Sequence, residues 1–145
     1  MTIISVDIEV ETGSGISVHD LMPKLAETLK ASRIRNGLVS VTAQHTTTAI
    51  FINEHEERLL DDLRRFLTRL IPPQDVYLHN DIALRNCPPE EPENAHSHLA
   101  AILLASSQTI PLADGKLALG QYQSVMLCEL DGPRRRTVRV HVFGE

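Results

Sequence analysis

The chain predicts an α+β fold in a single domain over residues 1–145, a mostly antiparallel sheet or sandwich carrying two main helices and one short helix. Three observations lead there. Ile4, Val6, Ile8 and Val10 alternate with Ser5, Asp7, Glu9 and Glu11, the period of two of a strand with one face buried. Leucines recur at helical spacing in two segments, Leu21–Leu25–Leu29 and Leu59–Leu63–Phe66–Leu67–Leu70. The last third of the chain reads as successive strands with no helix between them, which argues against a parallel, doubly wound arrangement.

Taken in order, Gly13-Ser14-Gly15 ends the first strand, and Ser17 is placed to cap a helix that carries Asp20 in its first turn and stops at Asn36-Gly37. Residues 37–44 and 49–52 read as strands around a threonine run. A second helix is predicted over 54–71, closed by Pro72-Pro73. Residues 72–93 have no sustained period and form a long loop, a kind of segment that is usually functional or disordered. Asn94 is placed to cap a short helix through Leu99, Ile102 and Leu103. Asp114-Gly115 predicts a hairpin between 108–112 and 116–119, and Asp131-Gly132-Pro133 a second one between 121–130 and 134–143.

With 145 residues the chain is long enough to bury about two-thirds of its unfolded surface. Aromatic residues make up 3% and tryptophan is absent, so Leu, Ile, Val and Ala must build the core and stacking on nucleic-acid bases is disfavoured. A net charge of -5, with basic residues scattered apart from Arg134-Arg135-Arg136, gives no drive toward nucleic acid or an anionic membrane. Two distant cysteines, Cys87 and Cys128, suit unpaired thiols in a reducing compartment. The N-terminus has neither a basic nor a long apolar region, and no apolar run approaches membrane-spanning length; the expectation is a soluble, unprocessed cytoplasmic protein.

Chemistry is concentrated in the histidines, four of which, among the 7 in the chain, stand in polar, motif-like settings: His45, His79, His96 and His98. His45 precedes Thr46-Thr47-Thr48, which offers hydroxyls and turn amides to a phosphate or carboxylate, although a threonine run equally suits the edge of a strand. His96 and His98 lie about 200° apart on a helix, so only one of them can face a site, and a solvated position suits His96. His79-Asn80-Asp81 sits in the long loop, where a plain Asx turn is the alternative. Three histidines with an open position would suit a catalytic zinc; added carboxylates such as Glu54 or Asp81 would favour manganese, magnesium or iron. Glu129 falls on an apolar strand face and needs a partner, for which Arg134 and Arg136 are candidates, while Arg135 reads as a surface ion pair. Glu54-His55-Glu56 begins a helix and serves its dipole. Gly-rich phosphate loops, nucleophile elbows and paired helical zinc histidines are all absent.

The strings His45-Thr46-Thr47, Ile52-Asn53-Glu54, His79-Asn80, Asn94-Ala95-x-x-His98-Leu99, Leu117-x-Leu119-Gly120-x-x-Gln123 and Glu129-x-Asp131-Gly132-Pro133-Arg134, with the Gly144-Glu145 end, resemble the YjbQ family, also called the secondary thiamine-phosphate synthase family, over essentially the whole chain. That resemblance implies a homotrimer with its site near subunit boundaries, His45, His79 and His98 as the family's histidines, and Asn53, Glu54, Asn80, Gln123, Glu129 and Arg134 as polar members of the same pattern. Tyr122 stands where the family usually has tryptophan, and Ala105 where it usually has glycine.

The functional expectation is a metal-assisted enzyme acting on a small phosphorylated or pyrophosphorylated metabolite, with a secondary thiamine-phosphate synthase activity that the resemblance implies. A divalent ion, zinc or magnesium or manganese, is assigned to His45, His79 and His98. Thr46, Thr47, Asn80, Gln123 and Arg134 are assigned to the phosphorylated substrate, and Glu129, Asn53 and Glu54 to catalysis. The rival is a trimeric small-molecule or anion-binding protein without turnover.

Overall fold

In the computed structural model, which describes residues 1–145, the elements run β1 (Thr2–Glu11), β2 (Gly15–Asp20), α1 (Met22–Ser32), β3 (Gly37–Ala43), β4 (Thr48–Asn53), α2 (Glu57–Leu70), α3 (Ala95–Leu104), β5 (Ser107–Ala113), β6 (Lys116–Leu117), β7 (Ser124–Gly132) and β8 (Arg135–Gly144). All strand pairs are antiparallel. They make a larger sheet in the order β1-β8-β3-β5-β6 and a smaller one in the order β2-β7-β4. The expected α+β sandwich with three helices is the fold observed.

Alternation decides the layering. Val39 and Val41 of β3, with Val138, Val140 and Val142 of β8, turn inward and meet Ile50, Val125 and Leu127 of the smaller sheet, with Leu25 and Leu29 of α1 completing this core. The other face of the smaller sheet presents Ala49, Cys128 and Leu130 to Leu67 of α2 and to Ala100 and Ala101 of α3. Strand β7 is therefore covered on both sides, and every residue from Val125 to Leu130 is buried.

Several sequence expectations are corrected here. Residues 15–20 form a strand rather than a helix start, because β2 completes the smaller sheet by pairing with β7. The helix begins later, with Asp20 Oδ1 accepting the Met22 N–H at 2.9 Å and Pro23 in the first turn. The expected hairpin at Asp131-Gly132-Pro133 is a crossover between sheets, since β7 pairs with β2 and β4 while β8 pairs with β1 and β3. Gly132 is required there by close approach, as a Cβ would lie 2.0 Å from the Gly13 carbonyl oxygen. The Asp114-Gly115 turn does join a hairpin, with φ of 51° and 78° at the two residues. Helix α2 starts at Glu57, and the Glu56 carboxylate accepts the Arg58 and Leu59 N–H groups. Its buried contacts come from Leu60 and Leu67, which leaves Leu59, Phe66 and Leu70 on an exposed neighbouring stripe.

Candidate functional site

The turn between β3 and β4, the start of α3 and the crossover from β7 to β8 converge on one open cavity of about 1110 Å³. His45, Thr46 and Thr47 come from the first, Asn94 and His98 from the second, and Asp131, Arg134 and Arg136 from the third. Chain segments as far apart as His45 and Arg136 thus supply one wall each, which is why no single spacing announces the site.

His45 is held at the end of the β3–β8 ladder. The Thr137 N–H donates to its Nε2 at 2.9 Å, beside the Gln44 N–H bond to the Thr137 carbonyl. Burial, and after it the charge of Arg136, hold the His45 pKa below the ordinary imidazole value against the opposing pull of Glu129 and Glu9.

Glu129 is fully buried and saturated. Its carboxylate accepts from Arg136 Nε and Nη2 at 2.6 Å each, from Thr12 Oγ1 at 2.7 Å and from the Asp131 N–H at 2.8 Å. Burial alone would raise its pKa, but these donors and the arginine charge outweigh burial and lower it. A carboxylate so occupied has no lone pair left for a proton or ligand, so the catalytic assignment of Glu129 is corrected to that of an anchor for Arg136. Arg136 Nη2 also donates to Thr47 Oγ1 at 2.8 Å, so this buried hydroxyl is oriented by the arginine while its own O–H remains available to donate.

Asp131 accepts from Arg134 Nη2 at 3.0 Å and from Asn94 Nδ2 at 2.7 Å, while Arg134 Nε donates to the Asp131 carbonyl at 2.9 Å. Asn94 Oδ1 is buried without a partner. The helix cap expected from Asn94 is supplied instead by Asn80, whose Oδ1 accepts the Ala95 N–H at 3.1 Å. The Oδ1 of Asn80 is thereby occupied in docking the long loop onto α3, while its Nδ2 makes no hydrogen bond within the protein. The docking sets the His79 ring edge-on to His98, with centroids 4.6 Å apart. Burial, followed by the neighbouring His79, keeps the His98 pKa below its ordinary value. His96 points away from His98 into a small apolar space with Ile16 and Leu67, where its Nδ1 is buried and unpartnered, so it is not the solvated residue expected.

Asn53, Glu54 and Gln123 are not brought to the histidines. They line a separate recess of about 360 Å³ with Ile52 and Tyr122. Asn53 Oδ1 accepts the Glu54 N–H at 2.8 Å, and Gln123 Oε1 accepts the Gly120 N–H at 2.8 Å, both local turn contacts. The site residues that the sequence did not nominate are Arg136, weighed only as a partner for Glu129, Asn94, read only as a helix cap, and Asp131, read only as a turn residue. Ala105, on the cavity wall, takes φ 75° and ψ 154°, a conformation suited to the glycine that the resemblance puts there.

A three-histidine metal centre does not fit this arrangement, because the lone pair of His45 Nε2 is spent on the Thr137 amide and the other nitrogen of a neutral ring then carries the proton. His79 and His98 are the adjacent imidazoles that could share an ion.

An α+β sandwich with a histidine- and arginine-lined cavity at the crossover between its sheets is the class defined by fold and site. The chain belongs to the YjbQ/UPF0047 family: the family model described as UPF0047 protein YjbQ-like matches residues 6–145. It is 39% identical over 145 residues to a UPF0047 protein of Methanothermobacter thermautotrophicus, covering 100% of this chain and 95% of that relative. It is 27% identical over 139 residues to the UPF0047 protein YugU of Bacillus subtilis, with 94% and 97% covered. The crystal structure of a YbjQ-like protein of unknown function from Sulfolobus solfataricus P2 superposes with a TM-score of 0.89 at 32% identity, covering 99% of each chain. An uncharacterised yjbq/upf0047 protein from Clostridium acetobutylicum gives 0.82 at 29% identity, with 93% of this chain and 97% of that one covered.

Proposed function

We propose that this protein is a cytoplasmic enzyme that acts on a small phosphorylated or pyrophosphorylated metabolite in the histidine cavity, assisted by a divalent ion and assembled as a homotrimer. The observation that carries the reading is the state of the two arginines. Arg134 and Arg136 are positioned by Asp131 and Glu129, yet the Nη1 of each has no protein partner and both residues line the cavity beside His45, His98 and the exposed Thr46. Guanidinium donors held from behind and free in front are suited to phosphoryl oxygens.

His79 and His98 are the residues assigned to the ion, be it zinc, magnesium or manganese. When bound it would neutralise charge on a leaving phosphate or pyrophosphate. Joining a pyrimidine pyrophosphate to a thiazole phosphate, the secondary activity implied by the family resemblance, is one displacement of this type.

Elemental analysis of untagged, chelator-free protein is expected to find about one ion per chain, lost in His98→Ala. Metal-dependent release of phosphate or pyrophosphate from a substrate panel should vanish in the same variant. No ion in either sample after reloading, together with anion binding and no product, would replace this reading by that of an anion-binding trimer without turnover.

A further inference from the structure

We infer that His45 acts as a neutral hydrogen-bond donor, through Nδ1–H, to an oxygen of the bound ligand, and is neither a metal ligand nor a general base; the ligand's chemistry rests on the phosphorylated-metabolite reading above. The tautomer follows from one contact. A backbone N–H can only donate, so the Thr137 amide, 2.9 Å from Nε2, fixes that nitrogen as the acceptor. A neutral imidazole has one acceptor and one donor, and the proton therefore resides on Nδ1.

The arrangement is built rather than incidental. His45 directly follows two residues that continue β3 along β8, where Ala43 pairs with Val138 and Gln44 N–H reaches the Thr137 carbonyl, so the ring occupies the next rung of the ladder. Protonating Nε2 would set two N–H groups against each other beside the Arg136 cation. The low pKa caused by burial and Arg136 agrees with that conflict.

Nδ1 is left for the ligand. Only Asn94 Oδ1 and His96 Nδ1 are buried side-chain atoms without a partner, so His45 Nδ1, which has no protein partner, is accessible, and its residue lines the cavity. A fixed N–H on a cavity that Arg136 also lines gives directional recognition of an oxygen.

Long-range 1H–15N spectra of histidine-labelled protein, assigned with His45→Ala, are expected to show Nδ1 protonated and Nε2 pyridine-like, with Nδ1 shifting as inorganic pyrophosphate is added. By calorimetry, His45→Ala should weaken pyrophosphate binding about tenfold, as loss of one good hydrogen bond to an anion does. His45→Asn, whose amide ends where Nδ1 lies, should recover most of that affinity, whereas His45→Gln, which reaches the Nε2 position, should not. Metal content should be unchanged in all three variants.

A proton on Nε2, or loss of the ion in His45→Ala, overturns the inference, and the native protein alone decides the first. Wild-type pyrophosphate binding that His45→Ala leaves intact also overturns it while sparing the functional reading. Failure of the wild-type chain to bind pyrophosphate at all overturns that reading and the ligand assigned here to His45.

Discussion

Glu129 and Arg136 illustrate how a charge can be functional by being spent. Both are almost wholly buried, and neither tolerates loss of the other, because the survivor would remain in the interior unpaired. Glu129→Leu or Arg136→Met should each cost about 3–5 kcal/mol, and the Glu129→Leu/Arg136→Met double variant should cost less than the sum, as read from urea midpoints. The pH dependence has a definite sign. The folded Glu129 carboxylate keeps its charge to lower pH than an unfolded one, so its contribution is full above the ordinary glutamate pKa, about 4.3, and is lost as pH falls through the folded value. Stability followed across that acid range should fall less steeply in the double variant than in the wild type.

At the scale of the element, the long loop is tied to α3 by one side chain. Asn80 takes the Ala95 N–H, Arg85 Nη1 donates to the His79 carbonyl at 2.8 Å, and together these contacts bring His79 against His98. Asn80→Ala should cost about 1 kcal/mol, the usual value of a lost cap, and should accelerate amide exchange over residues 78–84 while β7 and β8 remain protected. Equal exchange in variant and wild type would show that the loop is held by other means. The sequence places His79-Asn80 in a loop and leaves its partner open; only the helix start beside it turns Asn80 from a ligand candidate into a cap.

For the whole molecule, the outer surface of α2 and α3 is the feature that a single chain does not satisfy. Phe66 is 55% exposed, Leu103 56% and Ile102 78%, and Ile102 also lines the histidine cavity. Exposed apolar side chains of this size are the usual material of interaction surfaces. In the proposed homotrimer a neighbouring copy would cover this surface, which would also set the cavity beside a subunit boundary. Sedimentation equilibrium should give three times the chain mass, and Phe66→Glu with Leu103→Glu should reduce it to one; a monomeric wild type, or a trimer indifferent to both changes, would remove these helices from the interface.

The periodic features were legible in the amino-acid order alone: the alternating strands of residues 4–11 and 138–142, the existence of three helices, the Asp114-Gly115 turn and the antiparallel α+β class. The same order also nominated His45, His98, Thr46 and Arg134, all of which line the cavity. These properties are local, since a strand or helix shows its buried face every two or three to four residues. Partnership was decided only in three dimensions. Residues 15–20 became a strand because β7 needed a neighbour, the turn at Gly132 changed sheets because both edges of β7 are already paired with β2 and β4, and Asn53, Glu54 and Gln123 fell into another recess. The role of His45 depends on an amide 92 residues away in sequence, and the four donors around Glu129 are completed by Thr12, 117 residues away, contacts that no short window along the chain contains.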